Sequence, residues 1–306
     1  MQTLDVKKGK RMMFRLKGVI PPMITPFTED GKLDEKNLQK LVEYLSGKVE
    51  GLFICGSYGC GPLMSLEERR RTAEIVKKYA GPETVIVVHT GTTNARDTIE
   101  LSLHAREIGC DAAAAVGPYY YKYKNLDLLR YYEAILKETK DFPFYAYHNP
   151  QFQGYETSLE VFRQLKDMGM SGIKDATFNI MQYAAYQREL ADEAFDIALG
   201  TEAMWVSAHA LGCQAYIPGI GNVFPELCRE MYRQSMAGEA DQALQSQFRV
   251  NKLRDIMYLT RSTQLAIYAI AEIRGIMTAY PRAPFIPATK EEKQNIAQGL
   301  KEQGLL

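Results

Sequence analysis

Eight short, mostly apolar runs, each followed by a helical pattern, constrain this 306-residue chain more than any other feature. The runs are Gly18–Thr25, Gly51–Cys55, Thr84–His89, Asp111–Val116, Pro143–Tyr147, Ser171–Lys174, Phe195–Leu199 and Gln214–Pro218. They are mostly apolar rather than alternating, the pattern of parallel strands buried on both faces. The alanine run Asp111–Val116 has weak strand propensity. Its place in the series, with Pro118 just after it, makes it a strand. Amphipathic stretches follow at Leu33–Lys48, Ser65–Tyr79, Ala95–Ile108, Leu126–Thr139, Ser158–Met168, Asn179–Ala191, Met204–Leu211 and Pro225–Met236. Ser65 and Glu68 have the spacing of a capping box at the second of these. Eight such alternations predict an α/β fold, a (β/α)8 TIM barrel. A doubly wound open sheet would carry a glycine-rich phosphate loop after its first strand. The stretch Pro21–Phe27 cannot serve as one.

The chain continues past the eighth run with helical patterns at Glu239–Tyr258, Ser262–Met277 and Lys290–Gln303. This predicts three parts: a frayed leader over 1–16, the barrel over 17–225, and a helical extension packed on the barrel over 226–306. Lys plus Arg and Asp plus Glu are 37 each, so the net charge is zero. That leaves no electrostatic footprint for nucleic acid or an anionic membrane. No apolar run reaches the roughly 18 residues of a membrane span. The basic opening lacks the apolar stretch of a signal peptide. Five scattered cysteines (Cys55, Cys60, Cys110, Cys213, Cys228) suggest neither a disulfide framework nor a zinc knuckle. Four histidines show no paired-ligand spacing, so no bound metal is expected. A reducing cytoplasm is the expected compartment.

Active sites of such barrels sit at the C-terminal ends of the strands. Lys174 closes the sixth run. A lysine desolvated there loses its charge readily and becomes an amine nucleophile for a ketone; a lysine snorkelling to solvent would occupy the same position. Tyr147 ends the fifth run, as a proton shuttle or as a barrel-layer aromatic. Gly56-Ser57-Tyr58-Gly59 offers backbone N–H groups and a hydroxyl to a small anion, or is a plain turn. Tyr119-Tyr120-Tyr121 is a dense aromatic cluster suited also to an interface. Gly219 and Gly221 permit either close ligand approach or a tight turn. No Ser-His-Asp arrangement and no carboxylate pair is evident. The combination points to covalent carbonyl catalysis by lysine.

With these residues in place, the chain resembles the dihydrodipicolinate synthase / N-acetylneuraminate lyase family of pyruvate-dependent class I aldolases, over roughly Gly18 to Pro225. The first run, the Gly56–Gly59 loop, Pro118-Tyr119-Tyr120, Tyr147-His148-Asn149-Pro150 and Gly172-Ile173-Lys174-Asp175 carry the resemblance. It implies a Schiff base between Lys174 and a small 2-keto acid, with no separate cofactor. It implies Tyr147 as proton donor and acceptor, and Ser57 as the hydroxyl of a relay. It implies Tyr120 as a second relay tyrosine supplied by a neighbouring subunit, hence a homo-oligomer, commonly a dimer of dimers. The N–H groups of Ser57 and Tyr58 would hold the keto-acid carboxylate, and Ile217 would present its carbonyl to the lysine.

The departures bear on substrate. Cys60 stands where the family usually has glutamate, and Tyr58 where threonine is common. Phe152 replaces the arginine that binds the aldehyde carboxylate in dihydrodipicolinate synthases, which argues against lysine biosynthesis. Gly200-Thr201-Glu202 keeps one of the acidic residues of sialic acid lyases, which argues against sialic acid. A 2-keto-3-deoxy sugar acid would use Glu202 and Thr201. An aromatic pyruvate adduct would use Tyr58, Phe152 and Trp205 as its wall. The expected function is a carbon–carbon lyase on a 2-keto acid. The alternatives are a dihydrodipicolinate synthase-like condensation, a dehydratase on the same lysine, and a non-enzymatic keto-acid-binding barrel. Cys55, Cys110 and Cys213 read as core residues, and Cys60 as a thiol beside the active-site loop.

Overall fold

The computed structural model describes residues 14–306; most of the expected leader lies outside the described residues. Eight strands form one parallel sheet: β1 (Gly18–Val19), β2 (Gly51–Ile54), β3 (Val85–His89), β4 (Ala112–Val116), β5 (Phe144–His148), β6 (Gly172–Asp175), β7 (Asp196–Leu199) and β8 (Ala215–Tyr216). Their order is β1-β8-β7-β6-β5-β4-β3-β2. The ring closes where Glu50 N–H donates to Val19 O at 3.1 Å and Phe53 N–H to Pro21 O at 2.9 Å. The chain is therefore a TIM barrel with C-terminal helices.

Every expected run carries a strand. The first is laddered for only two of its eight residues, because Pro21 and Pro22 have no N–H to give. The alanine strand β4 works by size. Ala112 and Ala114 face the barrel interior beside Phe53, Val87 and Tyr145, whose bulk fills the space they leave. Ala113 and Ala115 face the helices. At the barrel floor Tyr145 O–H donates to Asp196 Oδ1 at 2.7 Å, and Leu16 N–H to Asp196 Oδ2 at 3.3 Å.

The helices form by amphipathic burial and side-chain capping. Glu35–Leu45 buries Leu38, Leu41, Val42 and Leu45 on one stripe and is capped by Asp34. Ser65 and Glu68 make the capping box of Leu66–Tyr79. A four-residue helix, Pro150–Gln153, was not expected, although Asn149-Pro150 is a cap followed by proline at the first helical position. The expected Ser262–Met277 helix runs only over Thr263–Ile273, with Gly275 at φ +68° beyond its end.

The C-terminal helices Pro225–Met236, Ala240–Met257, Thr263–Ile273 and Lys290–Glu302 do more than cover one side. Tyr280 exchanges backbone hydrogen bonds with Phe27, just past β1. Arg282 grips Glu68 through both oxygens at 2.7 and 3.1 Å. Both tie the extension to the end of the barrel at which the strands finish. No helix among the described residues is long and apolar enough to cross a membrane.

Candidate active site

Parallel register sets Lys174 on β6 directly beside Tyr147 on β5. Alternation along β6 sends Lys174 into the barrel and Asp175 toward the helices, so the adjacent carboxylate does not neutralise the lysine. Lys174 is 4% exposed, and Nζ lies 3.8 Å from the ring centroids of both Phe53 and Tyr147. The ring faces favour an ammonium, but burial opposes it and prevails, pushing the lysine down to about 7. No ion pair to Lys174 exists among the described residues. The free amine is therefore within reach near neutral pH.

The Tyr147 hydroxyl lies 3.5 Å from Ser57 Oγ and accepts from Asn149 Nδ2 at 3.1 Å. Burial raises the phenol, and the hydrogen bonds from Ser57 and Asn149 pull it back. His89 meets the Tyr147 ring edge-on at 5.8 Å. Val116 N–H donates to His89 Nε2 at 3.1 Å, so the ring proton sits on Nδ1, 3.2 Å from Cys55 O. Burial, then the charges of Arg69 and Lys174, keep His89 neutral. It supports Tyr147 as a packed neutral ring rather than as a base.

The loop after β2 bends back on itself, with Gly61 N–H donating to Gly56 O at 3.0 Å. Among the described residues the N–H groups of Ser57 and Tyr58 donate to no protein acceptor, which leaves them for an anion. The Tyr58 hydroxyl donates to Thr263 Oγ1 at 2.8 Å. Its ring lies over Gly219, where a Cβ would come within 2.5 Å of the phenol oxygen. Gly219 is thus glycine to seat Tyr58. Cys60 is buried, and burial raises its thiol, so it stays protonated.

A cavity of about 460 Å³ opens above Lys174. Ser57, Tyr58, Tyr147, Phe152, Lys174, Gly200, Glu202 and Ile217 all line it. Gly200 lies so close to β6 that a Cβ would come within 2.5 Å of Asp175 O. Tyr120 is not brought into the cavity of its own chain. It is 86% exposed at φ +86°, edge-on to Tyr121 at 5.0 Å. Trp205 does not form a wall. It is fully buried, stacked on Tyr216 at 4.6 Å and donating to Ser235 Oγ at 2.9 Å, because its helix turns it into the layer between sheet and helices. Thr201 is buried, and its hydroxyl accepts from Ala203 N–H at 3.1 Å, so it caps a turn.

The extension supplies what the sequence reading missed. Arg254, Tyr258, Ser262, Thr263, Gln264 and Phe285 all line the cavity. Arg254 Nη1 donates to Glu202 Oε1 at 2.7 Å, while Gly219 N–H donates to Glu202 Oε2 at 2.8 Å. Arg254 Nη2 donates to the Tyr258 hydroxyl at 2.7 Å. Glu202 is therefore a paired carboxylate, and the cavity holds a cation despite Phe152. The i, i+4 spacing of Arg254 and Tyr258 put them on one helix face, but nothing local said that the face meets the barrel mouth. Asn149 stood in the quoted motif without a role. Beside Ser57 lies a second, apolar cavity of about 340 Å³, lined by Cys60, Pro62, Leu63, Tyr119 and Phe285 among others.

Comparison with known proteins agrees with this geometry. The profile of the Dihydrodipicolinate synthetase family matches residues 15–303. A 4-hydroxy-tetrahydrodipicolinate synthase of Phenylobacterium zucineum is 30% identical over 296 residues, 96% of this chain and 99% of that protein. An N-acetylneuraminate lyase of Histophilus somni is 29% identical over 300 residues, 96% of this chain and all of that protein. Among solved structures, YagE, a prophage protein from E. coli K12 in complex with pyruvate, superposes with a TM-score of 0.90 at 26% identity, covering 96% of this chain and all of that one. With strand order, buried lysine and whole-length matches in agreement, this chain belongs to the dihydrodipicolinate synthetase family.

Proposed function

We propose that this family member is a Schiff-base lyase whose amine is Lys174, cleaving or forming a C–C bond next to pyruvate in a 2-keto acid. The buried lysine, pushed down to about 7 with no carboxylate partner, carries the reading. The neutral amine attacks the C2 carbonyl, and water leaves to give an iminium. In the cleavage direction Tyr147 takes the proton of the C4 hydroxyl as it hands its own phenol proton to Ser57, 3.5 Å away. The C3–C4 bond then breaks into the iminium, an aldehyde departs, and the enamine is protonated and hydrolysed to pyruvate and free lysine. The Ser57 and Tyr58 N–H groups hold the keto-acid carboxylate.

The outer cavity sets the substrate's other half. Phe152, Phe178 and Phe285 line one part, and the Glu202–Arg254 pair another. Both substrate classes, a 2-keto-3-deoxy sugar acid and an aromatic pyruvate adduct, belong in the screen. Arg254, held by Glu202, is not a free cation for an aldehyde carboxylate. Tyr120 completes the relay of a second copy: its exposed ring and the apolar cavity beside Ser57 support a homo-oligomer built as a dimer of dimers. Five buried, unpaired cysteines suit a reducing cytoplasm.

The test is intact-mass analysis after incubation with pyruvate and borohydride. One reduced pyruvyl adduct, absent from Lys174→Ala, is expected; no adduct from pyruvate or any larger keto acid overturns the reading. Product analysis then separates pyruvate release from a dehydrated keto product.

A further inference from the structure

We propose that Thr263 and Gln264 of the C-terminal extension are positioning residues for the loop that receives the keto-acid carboxylate. The inference rests on the preceding reading of that loop. Two consecutive residues, some two hundred positions away in sequence, hold it at three points. Thr263 Oγ1 accepts from the Tyr58 hydroxyl at 2.8 Å. Gln264 Nε2 donates to Tyr58 O at 3.1 Å and to Cys60 Sγ at 2.8 Å. The Tyr58 carbonyl can only accept, so the Gln264 amide has one orientation.

The effect on geometry is specific. Tyr58 is fixed at its phenol by Thr263 and at its carbonyl by Gln264, with its ring seated on Gly219. Gln264 thereby holds the Tyr58–Gly59 peptide plane, and the adjoining plane that carries the Tyr58 N–H is held by Cys60 N–H donating to Ser57 O at 3.2 Å. Cys60 sits at φ +55°, a left-handed conformation that a non-glycine residue adopts only when held. The Gln264 contact to its sulfur supplies one such hold. Gln264 itself is buried at the head of helix Thr263–Ile273, whose other side chains pack into the core. The clamp therefore stands on a rigid element. Donors already aimed at the carboxylate spare the ordering entropy that binding would otherwise cost. The extension thus sets keto-acid affinity without touching the reacting carbons.

The test measures borohydride trapping against pyruvate concentration. Gln264→Glu keeps the shape and removes the donors; Thr263→Val keeps the shape and removes the hydroxyl. Half-saturating pyruvate is expected to rise about tenfold in Gln264→Glu and about threefold in Thr263→Val, the scale of one or two lost buried hydrogen bonds. The trapping rate at saturation stays within about twofold, as uniform binding loss requires. Thr263→Ser, which restores the hydroxyl, returns half-saturation toward the wild-type value. Gln264→Met serves if a buried carboxylate prevents folding. Unchanged half-saturation in the donor-deleted variants overturns the proposal, as does a fall in saturated rate alone. Wild-type protein that never traps sinks the lyase reading and this inference with it; trapping in which the variants match wild type sinks the inference alone.

Discussion

The strand ends of β5 and β6 and the C-terminal helices build two walls of one cavity by different means. On the strands, register alone sets Tyr147 beside Lys174, and barrel closure removes water from both. On the helices, Arg254, Thr263 and Gln264 reach the site across long sequence separations and make ordered polar contacts with barrel loops. In the proposed reading the strand wall carries the chemistry, and the helical wall carries binding and orientation. Mutations on the first should therefore reduce turnover, and mutations on the second should change affinity or stability.

The largest expected effect is Lys174→Ala. Loss of the nucleophile should lower turnover by about 10³-fold or more and abolish the trapped adduct; turnover surviving within tenfold breaks the comparison on its stronger side. Tyr147→Phe keeps the ring against Lys174 and Phe53 but removes the hydroxyl. It should lower kcat by about 10²-fold, with adduct still formed, which steady-state kinetics on the identified keto acid would show. On the helical wall, Arg254→Leu strands a buried carboxylate at Glu202 and should cost about 3 kcal/mol of stability. Denaturant unfolding should show most of that loss recovered in Glu202→Leu/Arg254→Leu, while pyruvate trapping persists. Abolished trapping in a folded Arg254→Leu would erase the division between the walls.

The remaining effect is in the pH dependence of stability. Lys174 titrates near 7 when folded and near its ordinary 10.5 when unfolded. Between these values the unfolded state binds more protons, so stability rises with pH over that window. Lys174→Met should flatten the rise. Asp196, pushed up to about 6 by burial, acts oppositely. The folded state then holds the extra proton, and stability falls as pH rises from about 4 to 6. Asp196→Asn should remove that fall, read from thermal midpoints across pH.

What could be read in the sequence follows the same division. The apolar runs marked all eight strands because both faces of each are buried, and even the alanine strand was placed by its position in the series. The inward placement of Lys174 and Tyr147 was legible because a strand end in a barrel fixes where a side chain goes, whereas Ser57, in the loop after β2, was singled out by its glycine-flanked motif. Trp205 was misjudged: proximity to the seventh strand end says nothing about which way a helix turns its residues. Arg254 and Gln264 were missed because helix packing, rather than local pattern, decides their facing. Glu202 was found as a lining residue, but its pairing with Arg254 depends on that same packing. Tyr120 stands exposed, outside the cavity of its own chain, so no packing within the chain decides its facing.

The most direct test of the central claim is the titration of Lys174 itself, followed by NMR of lysine-labelled protein and assigned by the signal missing in Lys174→Ala. A midpoint near 7 is predicted, from burial without a counter-charge. A midpoint near 10.5 would mean the ammonium is well solvated, and the lysine would then be an ordinary charged residue at a strand end.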